Sequence, residues 1–334
     1  MMPGFNDVLS SLTTTFLDPS KRVFVGYLFL AAVIGALVWM AQGRSWRHYP
    51  RAVLSRRIWW SPSARADYQI LVINQILFLF LAPWLLSHLT LATWLFEQLH
   101  RWIDTRPSVG LGWPDWSIPI LFTLSLFLLD DFARFWIHRL MHRVPWLWAF
   151  HQVHHSARVL TPLTVLRTHP IEGVLFSLRS AVVNGVCIGG FVFFFDSRVD
   201  LVLVVGSNVF VFLFNLAGSN LRHTHCYLRY PAWLERWLIS PAQHQVHHSA
   251  EPRHFDRNFG AVLAIWDRLY GSLLVSEPTA PKRFGVTRRR RPGEQKLVTL
   301  YGSPFLQAAR VIRRWVSVRT TTIKQVNKEG RAHG

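Results

Sequence analysis

HQVHHSA, His151 to Ala157, recurs letter for letter at His244 to Ala250. In each copy the histidines stand at i, i+3 and i+4: His151, His154 and His155 in the first, His244, His247 and His248 in the second. That spacing places each trio on one side of a helix. Three imidazoles on one face can converge on a metal, so the repeat predicts one helical metal site built from two halves.

Histidines thicken around both copies. His138 and His142, in HRLMH, are spaced i, i+4 and put five histidines within eighteen residues. His223 and His225 precede the second copy in NLRHTH, and His169 stands between the halves in RTHPIE. Eleven of the sixteen histidines fall between His138 and His248. Such crowding of titratable rings is costly unless something binds their lone pairs, so the eight clustered histidines read as ligands. His223 and His225, at i, i+2, face different ways on a helix, which makes one of them a ligand; His225 is the slightly favoured one. His169 reads more as an orienting residue, and the scattered His48, His88, His100, His254 and His333 as interfacial or hydrogen-bonded side chains. Eight to ten imidazoles exceed what one ion takes, about four for zinc and six for iron or manganese, so two metals are implied.

The chain around these histidines reads as membrane protein. Half of its 334 residues are hydrophobic, and Val23 to Ala41 is nineteen residues without a charge, enough to cross a hydrocarbon core about 30 Å thick. Further apolar runs at Ile70 to Leu91, Ser117 to Trp136, Val174 to Phe195 and Val199 to Gly218 bring the expectation to about five spans. The first lies too far from the start, and is too long, to read as a cleaved signal. Arg44, Arg47, Arg51, Arg56, Arg57 and Arg65, opposed by Asp67 alone, mark the first connecting loop as cytoplasmic. Alternation, with an outer turn at Asp196 to Asp200, then puts both HQVHHSA copies on the cytoplasmic face. The expected fold is all-α: a multi-pass helical protein with a cytoplasmic histidine-rich cap. Residues 1–116 form an N-terminal membrane region, 117–280 the catalytic region and 281–334 a basic tail. In that tail Phe305 to Val316 suits a surface amphipathic helix, and the last twenty residues read as disordered.

Charge and cysteine content narrow the classes. Thirty-seven Lys and Arg against eighteen Asp and Glu give a net charge of +19, but the excess is spread over loops and tail, which fits anionic headgroups better than nucleic acid. Cys187 and Cys226 are the only cysteines, so neither a disulfide framework nor a thiolate metal site is expected. The excess of arginine over lysine points to a bacterial inner membrane rather than the endoplasmic reticulum. No HExxH occurs, which argues against a zinc protease. A histidine-rich metal transporter or sensor is the alternative class. Against it, the apolar runs hold few polar side chains beyond Asp130, Asp131, Asn184, Asn208 and Asn215.

The order H-x3-H, H-x2-HH and a later H-x2-HH, at the ends of apolar runs, resembles the fatty acid hydroxylase and sterol desaturase superfamily. The likeness covers Asp131 to Ser272, through DFARFWIHRLMH, LWAFHQVHHS, RTHPIE, SPAQHQVHH and NFGAVLAIWDRLYGS. It implies a membrane-bound di-iron oxygenase that uses O2 to hydroxylate or desaturate a C–H bond of a sterol, fatty acyl or related lipid. A separate ferredoxin, cytochrome b5-like protein or reductase would supply the electrons. By the same likeness His138, His142, His151, His154, His155, His244, His247 and His248 are metal ligands. The chain departs from the pattern at AGSN, Ala217 to Asn220, where relatives place a histidine, and carries RHTH just after it; the ninth and tenth ligands stay open between His223, His225 and His169. Asp131, two helical turns before His138, is placed to receive that imidazole's N–H, and Glu172, Asn258 and Asp267 fall in matching motifs as further supporting residues.

Overall fold

A computed structural model describes the chain except residues 1–3, 104–111, 196–199, 202, 205–206, 288, 290 and 331–334. Among the described residues the fold is helical apart from one small hairpin, β1 (Leu203–Val204) against β2 (Ser207–Asn208). The helices are α1 (Phe5–Leu17), α2 (Val25–Ala41), α3 (Tyr49–Val53), α4 (Arg56–Trp59), α5 (Pro62–Leu81), α6 (His88–Trp102) and α7 (Ser117–Arg143). There follow α8 (Pro145–His155), α9 (Pro170–Phe195), α10 (Val209–Leu216), α11 (Pro241–His247), α12 (Ile265–Leu269) and α13 (Leu297–Gly330).

Starts and stops follow local chemistry. Ser61 caps α5 by accepting the Ala64 N–H at 3.1 Å, with Pro62 in the first turn where its missing N–H costs nothing. α11 opens on a capping box, the Ser240 hydroxyl accepting from Gln243 N and the Gln243 amide oxygen accepting from Ser240 N. α7 and α8 are separated by Val144 alone, so the chain doubles back on the last turn of α7 and sets His138 and His142 against α8.

Among the described residues two segments are long and apolar enough to cross a membrane, Pro62–Trp102 and Pro170–Phe195, and Val25–Ala41 is a shorter apolar helix. About five spans were expected, and the differences have physical causes. The run Ile70 to Leu91 is not one helix: α5 begins earlier, at Pro62, and breaks at Ala82–Trp84 around Pro83 before Ser87 restarts α6. α7 is apolar but carries Asp130, Asp131 and Arg134 in its second half. The run Val199 to Gly218 holds the hairpin and the eight-residue α10, about 12 Å of helix and too short to span. Residues 196–199 of the expected outer turn lie outside the described residues.

α6 packs along α9 and α7 between α8 and α9. The α6–α9 contact depends on Gly185 and Gly189, one turn apart: a Cβ at Gly189 would lie 2.8 Å from the Ala92 carbonyl oxygen. Small residues at that spacing let two backbones approach. The outer faces remain apolar and exposed, as at Phe29, Leu37, Val182 and Val186.

Contacts cross both expected region boundaries. The Arg167 guanidinium donates to the Asp67 carboxylate at 2.8 Å with both side chains fully buried, tying α5 to the segment after α8. Asp67 therefore belongs to a buried helix turn and not to an exposed basic loop. The first part of the tail packs back on the protein, as α13 lies on α8. Ala308 joins Ala149 and Phe150, and Gln152 donates to the Gln307 side chain at 2.6 Å. The apolar stripe expected to lie on a bilayer surface is covered, in part, by protein.

Candidate metal centre

Among the described residues nine histidines gather into two groups. His138, His142, His151, His155 and His247 form one; His154, His223, His244 and His248 form the other. Within each group the ligand-capable nitrogens all lie within 4.8 Å of one another. The groups adjoin, with the His155 and His248 rings stacked at 4.5 Å between centroids.

The repeat is divided crosswise. The first and last histidines of copy one, His151 and His155, enter the five-membered group, and its middle one, His154, the other. In copy two His244 and His248 enter the four-membered group and His247 crosses. Helix geometry explains this: at about 100° per residue, i and i+4 differ by about 40°, whereas i+3 lies about 60° to the other side. Each copy therefore serves two centres, and the single convergent trio expected from the spacing does not form.

Tautomers are set from outside the groups. His138 Nδ1 donates to the Phe259 carbonyl at 2.7 Å, His247 Nδ1 to the Arg257 carbonyl at 2.7 Å, and His154 Nδ1 to the Arg167 carbonyl at 3.2 Å. His151 Nδ1 donates to the Glu172 carboxylate at 3.0 Å. With the Nδ1 protons committed, the Nε2 atoms of these rings carry bare lone pairs. Yet His138 Nε2 and His247 Nε2 face each other at 3.0 Å with no proton left to share. His223, His244 and His248 bring their Nε2 atoms together at 3.0 to 3.2 Å, and His142 and His155 theirs at 3.2 Å. His151 Nε2 is buried without a partner. Burial drives His154 down to about 3 and holds His155, His223, His244, His247 and His248 well below the usual imidazole range, so these rings are neutral. Opposed lone pairs on neutral buried rings fit cations, and an all-nitrogen donor set suits a transition metal.

The structure departs from several sequence expectations. His223 completes the four-membered group, whereas the slightly favoured His225 is exposed and stands outside both. The strand-like Thr224 between them turns the second ring away from the centre. His169 is not in either group; its Nδ1 accepts the Ile171 N–H at the start of α9, and its Nε2 donates to the Tyr301 carbonyl. Asp131 does not meet His138. It accepts Val262 N, Leu263 N and the Trp266 indole at 2.8 to 3.0 Å. Asp267 accepts Phe259 N and Gly260 N, and Asn258, at φ 58°, bonds the Gln243 and Leu274 carbonyls and Leu274 N. These three fix the loop 257–263, whose Arg257 and Phe259 carbonyls orient His247 and His138. Glu172 alone among the proposed supports touches an imidazole directly.

One supporting residue escaped sequence reading. Arg167 opens RTHPIE, and its fully buried guanidinium donates to Asp67, to the Val153 carbonyl, to Ser156 and to the Ser63 carbonyl while its own carbonyl takes His154. The signal was its place in a motif read only for its histidine and glutamate.

Adjoining histidine groups on helix ends define the class of site. Residues 123–272 match the model of the fatty acid hydroxylase family. The chain is similar to alkylglycerol monooxygenase of Danio rerio, 32% identical over 148 residues, which is 44% of this chain and 29% of that protein. It is similar as well to the Delta(7)-sterol 5(6)-desaturase of Aspergillus fumigatus, 26% over 202 residues (57% and 59% of the two chains). Lathosterol oxidase of Rattus norvegicus is 27% identical over 190 residues (57% and 56%). The chain thus spans under a third of the alkylglycerol monooxygenase and under two thirds of the sterol enzymes. No solved structure matches it.

Proposed function

We propose that this protein is an integral membrane di-iron oxygenase that uses O2, with electrons from a separate donor protein, to hydroxylate or desaturate a C–H bond of a membrane lipid. The observation that carries this reading is the set of opposed, neutral Nε2 atoms in two adjoining groups. His138, His142, His151, His155 and His247 would hold one iron, and His154, His223, His244 and His248 the other. Bound there, the irons would supply dioxygen activation and the removal of hydrogen from the lipid.

The chain's own residues do the positioning. The Phe259, Arg257 and Arg167 carbonyls and the Glu172 carboxylate hold Nδ1 protons, so each Nε2 stays available. A cavity of about 690 Å³ reaches His138, His151, His154, His223 and His244, and Phe127, Phe176, Val211 and Val262 line it with apolar surface suited to a lipid tail. The exposed apolar faces of α2 and α9 support insertion in a bilayer, and the arginine-rich segment Arg44 to Arg65 supports a cytoplasmic placement of the histidine cap, in a bacterial inner membrane.

Metal analysis of the purified chain tests the reading: about two irons per chain are expected, with His247→Ala or His154→Ala abolishing product while the protein stays in the membrane. Lipid profiling of a deletion strain would reveal the substrate. A fully active preparation devoid of metal would overturn the proposal.

A further inference from the structure

The cavity at the metal centre is not simply apolar. Lys21, Arg22, Arg134 and Arg222 line it, against Asp130, Asp131 and Glu172. All three carboxylates are already engaged: Asp131 by three N–H donors, Asp130 by Arg134 at 2.6 Å and Arg179 at 2.7 Å, and Glu172 by His151 at 3.0 Å. Arg222 gives one N–H to the Ala261 carbonyl and lies over the Phe214 ring at 4.6 Å, but among the described residues it has no carboxylate partner, and its Nε is buried without an acceptor. Arg22 has no hydrogen-bond or ion-pair partner among the described residues.

A guanidinium that faces a cavity without a hydrogen-bonding partner is costly. Burial, with the like charges of Arg134 and Arg222, brings Arg22 down to about 9 in spite of the opposing pull of Asp131 and Asp130. Its positive charge acts on His154 and His223, which places it near the metal end. Metal cations in the histidine groups would raise the positive potential further. An interfacial arginine that merely meets bilayer phosphates would have no reason to share a cavity with five of the nine grouped histidines.

We propose that this cavity takes an anionic amphiphile, its carboxylate or phosphate ester seated on Arg22 with Arg222 beside it and its chain against Phe127, Phe176 and Val262. This deepens the oxygenase reading and rests on it for the fate of the ligand. A guanidinium fork matches either head group through paired charge-assisted hydrogen bonds. Because the fork sits near the metal end, the reacting carbon lies close to the head and not at the far end of the chain.

The test measures equilibrium binding to the full-length, iron-loaded protein in neutral detergent, using palmitate, hexadecyl phosphate and hexadecanol as probes of one chain length. At least one anion is expected to bind about tenfold or more tighter than the alcohol, the contribution expected of charge-assisted hydrogen bonds. The tighter of the two anions identifies the head group. Arg22→Gln is expected to remove that preference without changing iron content, and Arg22→Lys to keep part of it. Equal binding of all three probes by the wild type, or an unchanged preference in an iron-replete Arg22→Gln protein, overturns the proposal. Iron content, read separately, distinguishes this failure from failure of the di-iron reading.

Discussion

The two copies of HQVHHSA share every letter and almost none of their surroundings. The first ends an eleven-residue helix, α8, that packs against α7 and α13. The second is most of the seven-residue α11, buried along its whole length and started by a capping box. Gln152 of the first copy reaches outward to Gln307. Gln245, its counterpart, is buried and donates to the Leu221 and Cys226 carbonyls at 3.0 and 2.8 Å, holding the segment that carries His223. Ser156 accepts from the Arg167 guanidinium, whereas Ser249 accepts the Glu251 N–H. Identical sequence sets identical ring directions along a helix; what each ring meets is decided by the partners around it.

Predictions follow from that contrast. The largest effect is expected at the crossing histidines. Both His154→Ala and His247→Ala should lower activity by more than the roughly 10- to 100-fold typical of supporting residues. His154→Ala leaves three histidines in its group and His247→Ala leaves four, so iron analysis should show the greater loss in His154→Ala; equal losses would break the crosswise assignment.

Next comes the anchor that only the first copy possesses. Removing Asp67 strands the buried Arg167 charge, and Asp67→Ala should cost about 3–5 kcal/mol in reversible denaturation. Glu172→Gln, which keeps the shape but loses the carboxylate facing His151, should reduce iron affinity or activity by about 10- to 100-fold with little change in fold, as circular dichroism would report. The smallest contrast is between the paired glutamines. Gln245→Ala leaves the buried Leu221 carbonyl and the half-buried Cys226 carbonyl short of a donor, about 1–3 kcal/mol, while Gln152→Ala, partly exposed, should stay within about 0.5 kcal/mol. Similar melting temperatures for the two variants would mean that the copies are equivalent after all.

Much of the site was legible from spacing. His138 and His142 at i, i+4 do enter one group together, and the helical character of both copies follows from the same periodicity. The division of each trio was also latent in the helix angle, although it takes two facing helices to separate i+3 from i and i+4. The choice of His223 over His225 was not legible, because i, i+2 in a short irregular segment has no fixed direction until Gly218, at φ 89°, and the Gln245 bonds set it. The spans were read from apolar runs, and hydropathy does not see the break at Pro83 or the hairpin before α10.

The sequence by itself determined which residues could bind metal, that they would be carried on helices, and that their number exceeds one ion. Periodicity and donor chemistry are local properties, readable one segment at a time. Only the tertiary structure decided how the nine histidines divide and which nitrogen of each ring is left bare. The bond from His138 to the Phe259 carbonyl joins residues 121 apart, and the approach of His247 to His138 joins residues 109 apart. A lone pair becomes available for a metal when its ring's other nitrogen has found an acceptor, and those acceptors come from distant loops that Asp131, Asn258 and Asp267 hold in place.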